Sequence, residues 1–269
     1  MSKYKMLCLD IDGTLLNTNH EITPRTKEAI KDLSKEKDTP VILVSARMPA
    51  AIKYLKNELE IRTPIICYSG AFILSDQNEV LYNEYIESNI VKEVFNKITD
   101  LDIHKSLYLE DRWYISHNDK WSDLESSITG IKPEIISFKK LLQDKKNDYN
   151  GFNKILLIGN EAGAKQAYLR LKKADFGMLS FNMSKPTYLE IMNSNTSKTR
   201  AINKLLDIYN IVDSEVVAIG DNYNDVDMLK FAGVGIAMGN APDEVKSISD
   251  YVTLSNDDDG VAEAIFKYF

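Results

Sequence analysis

Cysteine is nearly absent: Cys8 and Cys67 are the only two in 269 residues. Each sits inside an apolar run and reads as a small buried hydrophobe in a reducing compartment, not as part of a disulfide framework. Histidine is scarce too. His20, His104 and His117 are scattered, with no acid or cysteine at ligand spacing, so packing or surface roles are expected rather than zinc. No apolar run approaches the length of a bilayer span, and the short one at residues 6–11 is interrupted by Asp10. Neither a membrane segment nor a secretory leader is expected, and the expected setting is cytoplasmic. Basic residues are not in excess: 33 Lys and Arg against 40 Asp and Glu give a net charge of −7. Bulk electrostatics therefore disfavour nucleic acid and anionic membranes, and a small anion would need a local cluster of donors. There are no internal repeats, low-complexity tracts or long linkers. Oligomeric state is not legible at this level.

The composition, 44% hydrophobic and 27% charged, suits a globular chain with one large or two modest cores. Its first third alternates between two periods. Residues 6–11, apolar except for Asp10, and the run VILV read as strands buried on both faces. Thr23-Pro24 opens a helix, with Thr as N-cap and Pro at the first helical position. MPAAIKYLKNELE is a second helix, with Ile52, Leu55 and Leu59 on one face, and TPIICYSG a third strand. Strand, helix, strand, helix, strand implies a parallel sheet with right-handed crossovers. From about Tyr82 the texture shifts toward Lys, Asn, Ser and aromatics. LYLEDRWYISH alternates like one half-exposed antiparallel strand, NKILLIG is an apolar strand, and EAGAKQAYLRLKKA an amphipathic helix. After TYLEIM the first texture returns, with KTRAINKLLDIYNI, EVVAIGD, VDMLKFAGVGIAMG, DYVTL and a final helix. The expected fold is α/β: a doubly wound, Rossmann-like, mostly parallel sheet formed by 1–82 and 189–269, with an α+β domain inserted at 83–188.

Open parallel sheets bind ligands beyond the carboxyl ends of their strands, and four unusual clusters fall at such ends or at helix starts. Asp10 and Asp12 end the first strand, one residue apart, followed by Gly13-Thr14. Two carboxylates on one side of an extended segment repel unless a cation bridges them, and oxygen ligands suit Mg²⁺. One carboxylate can attack phosphorus while the other handles protons. Ser45-Ala46-Arg47 follows VILV, and a hydroxyl with backbone N–H groups there can hold a phosphate oxygen. Arg47 can instead pair with a local acid. Lys198 opens a helix, against the macrodipole, which a bound anion would explain. Asp221, Asn224, Asp225 and Asp227 cluster after EVVAIG: Asp221 is a candidate third metal carboxylate, Asn224 a phosphate donor, and Asp225 a holder of Lys198 or of a metal-bound water. Two further stretches carry no such chemistry. SNDDDG resembles a calcium loop but has Phe266 where a bidentate Glu is required, so it reads as a solvated turn. GVGIAMGNA lacks the strand-then-helix order of a dinucleotide fingerprint.

With the four clusters in this order, the sequence resembles the haloacid dehalogenase-like (HAD) phosphatases, specifically the Cof-type branch with a large cap. Asp10-Ile-Asp12-Gly-Thr-Leu matches the first family motif, Ser45 the second, Lys198 the third, and Gly220-Asp221-x-x-Asn224-Asp225 the fourth. The resemblance implies a phosphomonoester hydrolase acting on a small phosphorylated metabolite, sugar phosphates favoured, through an aspartyl-phosphate intermediate. Asp10 would be nucleophile and Asp12 acid/base. Mg²⁺ would be held by Asp10, the backbone carbonyl of Asp12 and Asp221, and the phosphoryl group by Ser45, Ala46, Lys198 and Asn224, with Asp225 behind them. The insert at 83–188 would be the cap that selects the substrate. Three departures from the family pattern bear on phosphate-loop geometry: Ser45-Ala46-Arg47 in place of Thr-Gly-Arg, Ser69-Gly70-Ala71 in place of Asn-Gly-Ala, and Thr199 after the motif-three lysine. Alternatives are a phosphotransferase of the same superfamily, a receiver-type signalling domain and a non-catalytic phospho-ligand sensor. Against a receiver domain stand Asp12 and the long insert.

Overall fold

A computed structural model describes residues 3–143 and 151–269. The chain opens with β1 (Met6–Asp10), α1 (Pro24–Lys35), β2 (Val41–Val44), α2 (Pro49–Leu59), β3 (Ile65–Cys67), β4 (Phe72–Leu74) and β5 (Val80–Asn83). It continues through β6 (Ile86–Glu87), α3 (Ser88–Lys97), β7 (His104–Leu109), β8 (Arg112–Ile115), α4 (Lys120–Thr129), β9 (Glu134–Ile135) and α5 (Phe138–Gln143). Then come β10 (Gly151–Phe152), β11 (Lys154–Ile158), α6 (Glu161–Lys173), β12 (Leu179–Lys185) and β13 (Tyr188–Asn193). The closing run is α7 (Lys198–Tyr209), β14 (Val216–Gly220), α8 (Val226–Phe231), β15 (Val234–Ala237), α9 (Asp243–Ser247), β16 (Tyr251–Val252) and α10 (Gly260–Tyr268). Two compact units result. One comprises the chain up to Arg47, Ile52–Tyr82 and Ser197–Phe269; the other comprises Met48–Ala51 and Asn83–Thr196.

The first unit is built on an eight-stranded sheet of order β16-β15-β14-β1-β2-β3-β4-β5. Every pairing from β16 to β3 is parallel, and β4 returns antiparallel to β3. This is the mostly parallel, doubly wound sheet the sequence predicts. The central strands β1, β2 and β14 are buried along their whole length, which only strands covered on both faces tolerate. Thr23 caps α1 by accepting the Thr26 amide, with Pro24 in the first turn, and the helix buries Thr26, Ala29, Ile30 and Leu33. A cap of this kind contributes on the order of 1 kcal/mol. From β1 the chain winds outward through β2 and β3, and after β13 it winds the opposite way from β14 to β16. The strand order thus reverses at β1, which opens a crevice beyond the carboxyl ends of β1, β2 and β14.

The second unit carries a six-stranded sheet of order β12-β13-β11-β7-β8-β9, antiparallel except for the β8–β9 pair, and a two-stranded β6–β10 ribbon. Two sequence expectations are corrected here. LYLEDRWYISH is not one half-exposed strand but most of a hairpin, β7 and β8, which turns at Glu110 in the left-handed region (φ 51°). Both strands are largely buried. The boundary expected at 188/189 falls later, at 196/197. TYLEIM pairs with both β11 and β12, and its Leu189 and Ile191 join the second unit's core beside Leu107, Ile155 and Leu157.

Candidate active site

Asp10 is the last residue of β1, and Lys198 the first of α7. Ser197 sets that start by capping α7, its side chain accepting the Arg200 amide. Lys198 is only 4% exposed. Its ammonium donates to Asp10 Oδ1 and, at 2.5 Å, to Asp225 Oδ1. Burial alone would push that ammonium's pKa down; the two carboxylates overcome the effect and raise it. Asp225 is fully buried, and its Oδ2 accepts the backbone amides of Asp221 and Asn222 at 3.1 Å each. Both Asp225 oxygens are therefore taken up in holding the lysine and the loop after β14. At Asp10, burial and then the Asp225 charge raise the pKa well above the usual carboxylate range, with Lys198 opposing.

Asp221 follows β14 and faces the turn after β1. Thr14 donates its hydroxyl to Asp221 Oδ1 at 3.0 Å. Gly13 (φ 82°) packs so close that a β-carbon there would lie 2.4 Å from Asp221 Oδ2, so the position demands glycine on both counts. Burial first, then the Asp225 charge, push the Asp221 pKa up to about 6. One carboxylate oxygen each from Asp10, Asp221 and Asp225 lie within 4.8 Å of one another. Among the described residues, no hydrogen bond engages Oδ2 of Asp10 or of Asp221. Two unengaged oxygens on crowded carboxylates form a donor set that suits a hard divalent cation.

Asp12 lies beyond the strand end and is exposed. Arg47 grips it with two hydrogen bonds, so the local acid sought for Arg47 is Asp12 itself. Ser45 is buried after β2, with its hydroxyl accepting the Arg47 amide at 3.2 Å. Of the backbone amides expected to be available for an anion there, that of Arg47 is thus engaged locally. Ala46 sits between them, half-buried. The loop is braced from behind: Tyr68 and Ser69, both at positive φ, donate their amides to the Arg47 and Ser45 carbonyls at 3.1 and 2.8 Å. Asn224 is exposed in the turn Tyr223–Asp225, and its side chain makes no hydrogen bond among the described residues. The structure therefore joins Asp10, Lys198, Asp225 and Asp221 into one cluster, and couples Asp12 to the Ser45 loop through Arg47. It leaves Asn224 apart. The sequence marks Gly13-Thr14 and Ser69-Gly70-Ala71 but does not assign Thr14 its tie to Asp221, nor Tyr68 and Ser69 their hydrogen bonds to the Ser45 loop.

Elsewhere, His104 takes a packing role, one of the two that its sequence context leaves open. In the second unit its Nδ1 meets Asp119 Oδ2 and its Nε2 meets Ser106 Oγ, each at 2.8 Å, and Trp113 Nε1 donates to the same hydroxyl. Ser106 is wholly buried, so this is a packing network, not a nucleophile. Trp113 and Tyr114 are likewise buried, while His117 is exposed.

Carboxylates and a lysine gather at the switch point of a doubly wound α/β sheet, a set of groups whose chemistry suits an anionic ligand beside a cation. A family model for haloacid dehalogenase-like hydrolases matches residues 7–265, and the chain belongs to that family. A Haemophilus influenzae protein named "Putative phosphatase" is 34% identical over 99% of this chain and 98% of its own length. A Bacillus subtilis protein, the 5-amino-6-(5-phospho-D-ribitylamino)uracil phosphatase YitU, is 26% identical over 100% of this chain and 98% of its own. Among solved structures, a haloacid dehalogenase-like hydrolase from Bacteroides thetaiotaomicron superposes with a TM-score of 0.89 at 30% identity, covering 99% of this chain and 100% of that one. The HAD subclass IIB sugar phosphatase BT4131 shares the fold, with a TM-score of 0.82 at 22% identity over 98% of each chain. The protein is a phosphatase. No helix among the described residues is long and apolar enough to cross a membrane.

Proposed function

We propose that the protein hydrolyses phosphate monoesters of small polyhydroxylated metabolites, sugar phosphates foremost, through a phosphoryl group carried on Asp10. The observation that carries this reading is the Lys198 bridge: a buried ammonium spans Asp10 and Asp225 beside Asp221, at the point where strand order reverses. One carboxylate oxygen of Asp10 attacks phosphorus while the other is left to the cation, and Lys198 is hydrogen-bonded to that carboxylate through Oδ1. Lys198 then stabilises charge that builds on the transferring group. Asp12 protonates the departing oxygen and afterwards takes a proton from water, a task suited to its exposed position. Ser45 and the Ala46 amide, with Asn224, are assigned to the phosphoryl oxygens, and Asp225 to holding Lys198. Mg²⁺, held by Asp10, the Asp12 carbonyl and Asp221, would offset the repulsion among these carboxylates and the phosphate. Burial first, and then the charge of Asp225, raise the pKa of Asp10 and of Asp221, and a cation between them would favour the charged form of both.

The second unit is assigned the role of cap and substrate selector, since it contributes none of these residues. The names of two relatives, a sugar phosphatase and a phosphatase for a phospho-ribityl compound, both specify a phosphate on a polyhydroxylated chain and support that substrate class. A phosphomonoester panel assayed with Mg²⁺ and with excess chelator tests the reading. Turnover of sugar and polyol phosphates that disappears with chelator is expected; full turnover without metal contradicts it.

A further inference from the structure

Two stretches without assigned chemistry, Met238-Gly239-Asn240-Ala241 after β15 and Ser255-Asn256-Asp257-Asp258-Asp259 after β16, converge on the loop that follows β1. Asn240 Nδ2 donates to the Gly13 carbonyl at 2.8 Å, and Asn240 Oδ1 accepts the Asn256 amide at 3.0 Å. Asn256 Nδ2 donates in turn to the Leu16 carbonyl at 2.9 Å. Asp257 Oδ1 accepts both the amide and the hydroxyl of Thr18 at 2.9 Å, and Asp259 accepts the Thr23 hydroxyl. The acidic run is therefore not a merely solvated turn. Gly239 lets the two loops meet, for a β-carbon there would lie 2.8 Å from the Ser255 nitrogen.

An exposed asparagine has no need of protein partners, since water satisfies its amide; here both ends of it are committed to backbone of two other loops. The group it holds is also particular. Gly13 lies between Asp12 and Thr14, and Thr14 is tied to Asp221 on the other side. The turn is thus held from two directions, by Asp221 through Thr14 and by Asn240 through the Gly13 carbonyl.

We infer that Asn240, supported by Asn256, is a positioning residue for the turn at residues 12–14, fixing the Gly13 peptide and through it the Asp12 carbonyl and carboxylate. The inference rests on the reading in which Asp12 supplies a Mg²⁺ ligand and moves the proton. Groups that orient metal ligands from outside typically change metal affinity or activity by about 10–100-fold when removed.

The test uses the full-length protein, wild type beside N240A and N240D, the latter keeping the side-chain volume while losing the donor. Mg²⁺ binding is measured by titration calorimetry, melting temperature without metal, and kcat and KM on a phosphate ester. Roughly tenfold weaker Mg²⁺ binding and a comparably lower kcat are expected, with KM and the metal-free melting temperature near wild type. Wild-type Mg²⁺ affinity and kcat in N240D overturn the inference. So does a lower metal-free melting temperature with affinity and kcat intact, which makes Asn240 a structural anchor only. A wild-type protein that neither binds Mg²⁺ nor turns over esters is the distinct result that removes the underlying reading as well.

Discussion

Arg47 and Asp12 form a two-pronged ion pair, Nε to Oδ2 at 2.9 Å and Nη2 to Oδ1 at 2.6 Å. The Asp12 side chain is 53% exposed and that of Arg47 15%, so solvent screens the pair and it adds less than about 1 kcal/mol to stability. Its consequence is orientation. Arg47→Ala should leave the melting temperature nearly unchanged while slowing alkyl phosphates, whose leaving oxygen needs a proton, roughly tenfold more than aryl phosphates. Arg47→Lys should not restore the rate, because an ammonium lacks the planar fork. Equal slowing of both ester classes would separate Arg47 from the proton-handling role.

A solvent-facing lysine in a first helical turn that clamps a phosphate would, when removed, damage catalysis far more than folding. The burial of Lys198 between Asp10 and Asp225 changes that. Lys198→Met leaves two buried carboxylates without their cation, a loss on the order of 3–5 kcal/mol, besides a rate loss of roughly 10²-fold or more. Without the ammonium, buried Asp10, whose pKa burial and the Asp225 charge already raise, favours the folded state when protonated, so the destabilisation should shrink as pH falls toward the ordinary carboxylate range. Parallel melts at falling pH check the sign; a pH-independent loss would contradict the buried pairing.

Asp221 titrates near 6 in the folded chain against an ordinary value of 3.8. An acid with a raised folded pKa favours the folded state while protonated. Its contribution is fully present below the ordinary value and is lost as pH rises through about 6. Metal-free protein should therefore lose melting temperature between about pH 4 and pH 7, and Asp221→Asn should flatten that slope. The same substitution should remove most of the rise in melting temperature that Mg²⁺ produces in the wild type at neutral pH. A variant with the wild-type slope would show that Asp221 is not the group responsible.

Domain exchange tests the boundary and the proposed division of labour together. A graft cut at 196/197 keeps β13 with β11 and β12 and should fold, whereas one cut at 188/189 removes the middle of three paired strands and should aggregate. Folded grafts should change the ranking of phosphate esters more than the turnover of acetyl phosphate. Abolition of acetyl phosphate turnover in a folded graft would place essential chemistry in the second unit.

The parallel core was legible because its strands are uniformly apolar and its first helix carries its own cap in Thr23-Pro24. Asp10, Lys198, Asp221 and Asp225 were legible as candidates because carboxylates at buried strand ends, and a lysine in a first helical turn, conflict with local energetics unless something else compensates. What the sequence could not carry were relations across long separations. Nothing near Arg47 names Asp12 as its partner, and nothing near His104 points to Asp119 and Ser106 rather than to solvent. The hairpin at Glu110 was missed because period-two alternation continues through a two-residue turn without a glycine to mark it. The late boundary was missed because Leu189, Ile191 and Met192 of β13 suit a buried strand of either sheet, and burial alone does not say which.

The most direct test of the central claim compares Asp10→Asn with Asp12→Asn on an aryl phosphate, whose leaving group needs little protonation, by rapid acid quench and mass spectrometry. The wild type should form and discharge a phosphoryl-enzyme labelled on Asp10. Asp10→Asn should show neither label nor turnover. Asp12→Asn should accumulate the label on Asp10 in a burst, with steady turnover lower by roughly 10²-fold or more, because attack by water then lacks its base. Label on Asp12, or two variants with indistinguishable kinetics, would contradict the assignment of Asp10 as nucleophile and Asp12 as the proton carrier.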